Sequence, residues 1–268
     1  MKKANRNRKR CTEAVPFVRP TTAFDERQAI AMITESLGTG LLSGVNIRVA
    51  QLETRVKRLH NTLHCVAVSD ATSGLILTVR ALGWRKVAMP SFTFSATALA
   101  AHWNGAPIAF VDCDPYSFNI STADLENVVD GKSGVDGIIA THIFGEACNM
   151  DEIHGIAEDA GAGIIYDAAH AIGTKYNGAP VGEGETSIFS FSPSKLVTSA
   201  EGGAITTDDT QLAEQLRVLR TYGNRPDYTC DTPGLNARMS EIHAAIGLTQ
   251  LGRLNQYVQE RQRYAAIY

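Results

Sequence analysis

SIFSFSPSKLVTSAEGGAITT, residues 187–207, holds two apolar runs and a single lysine. SIFSF (187–191) and GAITT (203–207) are short, rich in aromatic or β-branched residues, and bounded by small ones. Both read as buried strands. Too few residues separate them for the helical crossover that parallel neighbours need, so part of the sheet must be antiparallel. Lys195 sits between them among hydroxyl and small residues, and its nearest charges in the chain are Glu185 and Glu201. A lysine poor in charged neighbours loses solvation, and its amine drifts toward the neutral, nucleophilic form. An exposed loop lysine would fit the same local sequence.

Upstream, the same texture repeats. CVAVS (65–69), KVAMP (86–90), IAFVD (108–112), GIIATH (137–142) and GIIYD (163–167) are further apolar runs closed by Gly, Pro, Asp or Ser. Thr72–Leu82, Thr93–Trp103 and Asp151–Ala160 between them carry helical spacing. Runs apolar on both faces, alternating with helices, predict an α/β layer fold with a mostly parallel sheet. The last stretch, from Met239 to Tyr268, has almost no breakers and reads as one or two helices, apolar on one face and charged on the other.

Bulk properties narrow the function. The 268 residues are 44% hydrophobic and 20% charged with a net charge of −3, so the body is not an electrostatic binder of nucleic acid. The opening MKKANRNRKR carries six Lys or Arg and reads as a solvated arm (a tether to nucleic acid or membrane being the other reading), with no apolar core behind it to make a secretory signal. No apolar run approaches the roughly 20 residues that span a bilayer. A cytoplasmic protein with no membrane partner is expected. The five cysteines are odd in number and widely spaced without CxxC, which argues against a disulfide framework or a zinc knuckle. Cys65 and Cys113 fall in apolar runs and are expected in the core.

Ligands of parallel α/β sheets gather at the carboxyl ends of the strands. Four polar groups should meet there. Asp70-Ala-Thr72-Ser73-Gly74 opens a helix, where free N–H groups and two hydroxyls suit a phosphate, or make a plain N-cap. Phe94 offers an aromatic platform. Asp167 ends a strand, and a buried carboxylate needs a cation such as a protonated heterocycle, unless it merely caps a helix. His170 follows by three residues, expected on the same helical turn. Lys195 offers Schiff-base chemistry, and Ser190, Ser192 and Ser194 further phosphate donors. Neither GxGxxG nor GxxxxGK[ST] is present. Together these are the parts of a pyridoxal 5′-phosphate (PLP) site.

PSFTFSATALAAHWNGAPIAFVDCDPYSFNI, THIFGEACNMDEI, YDAAHAIG, FSFSPSKLVTSAEGGAITT and GLNARMSEIHAAIGLTQLGRL occur in that order. From about Pro16 to the last residue the chain resembles the DegT/StrS (DegT/DnrJ/EryC1) family of sugar aminotransferases. The resemblance implies the type I PLP-dependent transferase fold, three α/β/α layers about a mostly parallel, mixed seven-stranded sheet. It implies Lys195 as the cofactor lysine and proton shuttle, Asp167 at the pyridine nitrogen, His170 on the ring's hydroxyl side and Phe94 on the ring face. Thr72, Ser73 and Ser190 would hold the phosphate. Asn236 would reach the phosphate of the other subunit of a homodimer. The implied reaction moves an amino group from glutamate or glutamine to a keto group of a nucleotide-activated 4-keto-6-deoxy sugar, for polysaccharide or glycosylated metabolites. A related branch with histidine at the lysine position removes a hydroxyl instead, and Lys195 argues against it.

The same resemblance divides the chain into a basic arm and entry segment (1–35), a PLP-binding large domain (36–245) and the start of a long helix (246–268). That helix would lead to a small C-terminal domain, which is expected to be absent. LGWRKVAMP lacks the acidic Gly-Asp-Glu of many members, a loop difference. Two other readings fit the same sequence. One is a truncated or regulatory relative that binds the cofactor without turnover. The other is a binding protein working through its basic arm.

Overall fold

The computed structural model describes residues 25–130 and 133–268, so the basic arm at 1–10 lies outside the described residues. The strands are β1 (His64–Val68), β2 (Val87–Pro90), β3 (Ile108–Val111), β4 (Gly137–Thr141), β5 (Gly163–Asp167), a small β6–β7 hairpin (Lys175–Tyr176 and Ala179–Pro180), β8 (Ser187–Ser190) and β9 (Gly203–Thr207). Seven of them form one sheet in the order β1-β9-β8-β5-β4-β2-β3. β9 runs antiparallel to β1 and β8, and every other pairing in this sheet is parallel. The short 187–207 connection therefore does what its length requires: Ser187 pairs with Thr206 and Ser190 with Gly203.

The central strands are buried on both faces, whereas the edge strand β3 leaves Phe110 57% exposed. Val66, Met89, Ile139, Ile165, Ile188 and Ile205 point to one face. There they meet α3 (Ala71–Leu82), α4 (Ser95–Trp103) and α7 (Thr210–Leu219). Ala67, Ala88, Ile138, Tyr166, Phe189 and Ala204 point to the other. Against them lie α2 (Ile47–Leu59), α5 (Thr122–Val128), α6 (Met150–Ala160) and α8 (Glu241–Leu251). The result is the three-layer arrangement. α1 (Glu26–Thr39) packs on α8, and α9 (Leu254–Ala265) follows it. Trp84 lies flat across the start of β4 and β5, where Gly137 and Gly163 leave room for its ring. No helix among the described residues is long and apolar enough to cross a membrane.

Three details depart from the sequence expectation. The tail forms two helices, within the expectation, but α8 is not simply apolar on one face and charged on the other: Glu241, Ala244, Ala245, Thr249 and Gln250 are all buried, and the helix packs on both α1 and α2. His170 lies in a tight turn rather than a helix: β5 ends at Asp167, and the Ala171 N–H closes back on the Ala168 carbonyl at 2.9 Å. Cys65 is core, but Cys113, just past β3, is only half-buried.

Candidate active site

β1, β2, β4, β5 and β8 all deliver their carboxyl ends to one edge of the sheet, and the polar residues that follow them meet there. Asp167 closes β5 and is 3% exposed. Its Oδ2 accepts the Thr97 hydroxyl at 2.7 Å and its Oδ1 the Ala169 N–H at 3.1 Å. Among the described residues no cation forms an ion pair with it. Burial pushes its carboxyl up, while the two donors and the positive charge of His170 and Lys195 pull it down. Thr97 is fixed by the first turn of α4, and β2 and β4 bring Thr93 and Thr141 to the same point. Sequence reading missed these three threonines. Their one signal was that Thr93 and Thr97 stand a helical turn apart at the end of β2.

Lys195 lies in the turn after β8, its N–H bonded to the Ser192 carbonyl at 3.0 Å. Burial lowers its amine from the ordinary lysine value, and the Asp167 charge opposes that only in part. His170 is also depressed, by burial first and then by Lys195. Its Nδ1 accepts the Phe144 N–H at 3.3 Å, so Nε2 carries the hydrogen in the neutral ring. Asp167, His170 and Lys195 thus form one electrostatic group. Phe94 ends the β2–α4 loop as the residue before the helix, 72% exposed.

The expected phosphate residues fall into two places brought together by β9. Thr72 and Ser73 lie in the first turn of α3. Ser190 ends β8 opposite Gly203, and Gly203 packs so closely on that turn that a Cβ there would stand 2.8 Å from the Ala71 nitrogen. Asp70 caps the helix, accepting the Ser73 N–H at 2.7 Å and the Ser69 and Ser73 hydroxyls at 2.8 Å. The Ser73 donors are therefore engaged by the chain itself, which leaves Thr72, the first backbone N–H groups of the helix and Ser190 as the better phosphate seat. Asn236 does not join this cluster in its own chain. It is exposed on a loop, and its Oδ1 accepts the Arg238 Nε–H at 3.3 Å.

A cleft of about 1130 Å3 opens beside Lys195 and His170, bounded by Phe144, the β6–β7 hairpin and α9. Lys175, Lys195 and Arg261 line it, and among the described residues no carboxylate does. The chemistry of the donors fits PLP. A buried carboxylate without a cation suits a protonated ring nitrogen, a depressed lysine suits an aldehyde, and a helix start suits a phosphate.

The chain is 34% identical over 242 residues to GDP-perosamine synthase of Caulobacter vibrioides, covering 88% of itself and 65% of that protein. It is 36% identical over 225 residues to the pleiotropic regulatory protein of Geobacillus stearothermophilus, covering 82% of itself and 60% of that protein. Among solved structures it resembles DesI, determined in the presence of its TDP-sugar product, with a TM-score of 0.83 and 34% identity over 89% of this chain and 60% of that one. It therefore spans less than two thirds of each of these relatives. The family model for DegT/DnrJ/EryC1/StrS aminotransferases matches residues 24–268, and the chain belongs to that family.

Proposed function

We propose that this chain carries the cofactor site of a PLP-dependent aminotransferase acting on a nucleotide-activated keto sugar. The observation that carries the reading is Asp167, a buried carboxylate with two neutral donors and no cation, beside a lysine of lowered basicity. When bound, PLP supplies an electron sink for the pair released as a C–H bond beside the amino group breaks. The chain's own residues do the rest. Asp167 keeps the ring nitrogen protonated. Thr72, Ser190 and the start of α3 hold the phosphate, with Ser73 turned to Asp70, and Phe94 covers the ring face. Lys195 Nζ would hold the aldehyde until an incoming amine displaces it, and the freed amine would then serve as the base that takes up, and the acid that gives back, the proton of the amino-bearing carbon in each half of the transfer. An amine lowered toward neutrality serves both duties.

Glutamate or glutamine is the donor in this reading, and a nucleotide 4-keto-6-deoxy sugar the acceptor. Either donor carries a carboxylate and the acceptor a diphosphate, and the cleft beside Lys195 meets such groups with Lys175 and Arg261. We also assign residues 36–245 to cofactor binding and 246–268, which hold the end of α8 and all of α9, to the segment leading toward a small domain. In a cytoplasmic homodimer Asn236 reaches the partner's phosphate. The regulatory name of the Geobacillus relative favours a second reading, a member that binds PLP with impaired turnover or a regulatory role.

Incubation with PLP, 15N-glutamate and a nucleotide 4-keto-6-deoxy sugar separates the two. The first reading expects a 15N-labelled amino sugar by mass spectrometry, absent with Lys195→Ala. Conversion of glutamate without any amino sugar would leave the second reading standing and sink the first.

A further inference from the structure

Three threonines from three different elements form a chain that ends on Asp167. Thr97 Oγ1 lies 2.7 Å from Asp167 Oδ2, Thr93 Oγ1 lies 2.8 Å from Thr97 Oγ1, and Thr141 Oγ1 lies 3.1 Å from Thr93 Oγ1. Thr97 and Thr141 are buried and Thr93 partly so. The direction of each bond follows from the end of the chain. An ionised carboxylate only accepts, so Thr97 must give it its hydrogen. Thr97 then receives from Thr93, and Thr93 from Thr141. Were Asp167 protonated on Oδ2 with its hydrogen toward Thr97, the Thr97 hydroxyl could no longer donate to that oxygen and would have to turn away, while Thr93 could still donate to Thr97. The direction of the link that ends the chain is thus set by the charge on Asp167.

We propose that Thr97, Thr93 and Thr141 are positioning residues that act as a directional hydroxyl relay holding Asp167 in its ionised form. Aligned hydroxyls polarise one another, so each link strengthens the next donor. Without them the carboxylate would keep only the Ala169 N–H against the cost of its burial. The other charged and titratable groups that act on it are His170 and Lys195, with Cys148 on the α6 side. The functional value of the relay rests on the PLP reading, because an ionised Asp167 is what a protonated ring nitrogen needs. The relay itself does not.

The test is the Asp167 titration, followed by 13C carboxyl NMR in the chain free of cofactor, with thermal stability measured in parallel. Thr97→Val removes the terminal donor and should raise the Asp167 midpoint by about one pH unit. Thr141→Val, two links away, should raise it by roughly 0.3. Thr93→Val should fall between them, and Thr97→Ser should restore the wild-type midpoint. An unmoved midpoint in Thr97→Val, with or without a loss of stability, overturns the relay and makes the threonines packing residues. An equal shift in all three valine variants overturns the graded coupling. With PLP added, the pH at which the visible band changes should move in the same order. Absence of any band would count against the cofactor reading and leave the NMR result standing.

Discussion

Asp167 and Lys195 sit together where neither would choose to be charged. Replacing Asp167 by Asn separates what the fold needs from what the chemistry needs. The amide is isosteric and relieves the burial of a charge, and Thr97 can turn to accept from it. The cofactor-free Asp167→Asn chain should melt no lower than the wild type, while amino transfer falls by about 10²-fold or more. A melting temperature well below wild type would mean the charge is structural. Two buried histidines make a second prediction at this scale. Burial lowers His60 and His142 from 6.5 to about 4. Both must gain a proton on unfolding below pH 6.5, so their contribution is complete above 6.5 and is lost progressively down to about 4. His142 Nδ1 accepts the Cys148 N–H at 3.1 Å, a bond that asparagine can also accept. Between pH 7.5 and 5 the wild type should lose about 2 kcal/mol more than His142→Asn in urea titrations. Equal losses would refute it. The places of Asp167, Thr72 and Ser190 were legible because each closes a strand or opens a helix beside an apolar run, and that of Lys195 because it stands alone among small residues between two such runs. Thr97, Thr93 and Thr141 were not, because an ordinary threonine gains its role only from the sheet order that gathers β2, β4 and β5.

The seven strands of the main sheet were readable nearly to the residue, since burial leaves an apolar run with little else to mean, whereas the short β6–β7 hairpin was not read. GIIYD and GAITT match β5 and β9 end to end. Helix ends set by distant partners were not readable. α2 begins without a side-chain cap of its own, and Glu241 of α8 accepts the Arg48 and Val49 N–H groups at 2.7 and 3.0 Å. That pairing has no local signature. The turn at His170 escaped for a related reason: a short Ala-Ala-His run after a strand looks like a helix start until the hairpin behind it is known. Trp84 gives the element scale its test. A Cβ on Gly137 would overlap the indole ring, and one on Gly163 would approach it at 2.9 Å. Gly137→Ala should cost about 3 kcal/mol and Gly163→Ala clearly less, both read from urea midpoints. The reverse order would contradict the packing of Trp84 across β4 and β5.

At the scale of the whole molecule, the sheet edge collects one cofactor's worth of groups, and Asn236 stands outside it. The proposed sharing of the site between two copies has a simple consequence. Lys195→Ala and Asn236→Ala each disable one contribution, and a mixed dimer holds one site with both residues intact. Mixing the two inactive variants should restore a readable fraction of activity, whereas Asn236 acting in its own chain predicts none. The mostly parallel, mixed character of the sheet, the strand ends and the family landmarks lay in the sequence, and the strand order did not. What lay outside it was how Asp70 occupies the Ser73 donors and how far the cleft beside Lys195 is free of carboxylates, because both depend on contacts between separate elements. The central claim is that Lys195 holds PLP at the end of β8. The measurement that tests it most directly is borohydride reduction of the PLP-treated chain followed by peptide mass mapping. The account expects a visible band that vanishes on reduction, with the pyridoxyl mass on the peptide carrying Lys195. Reduction that leaves Lys195 unmodified, or labels surface lysines alone, would contradict it.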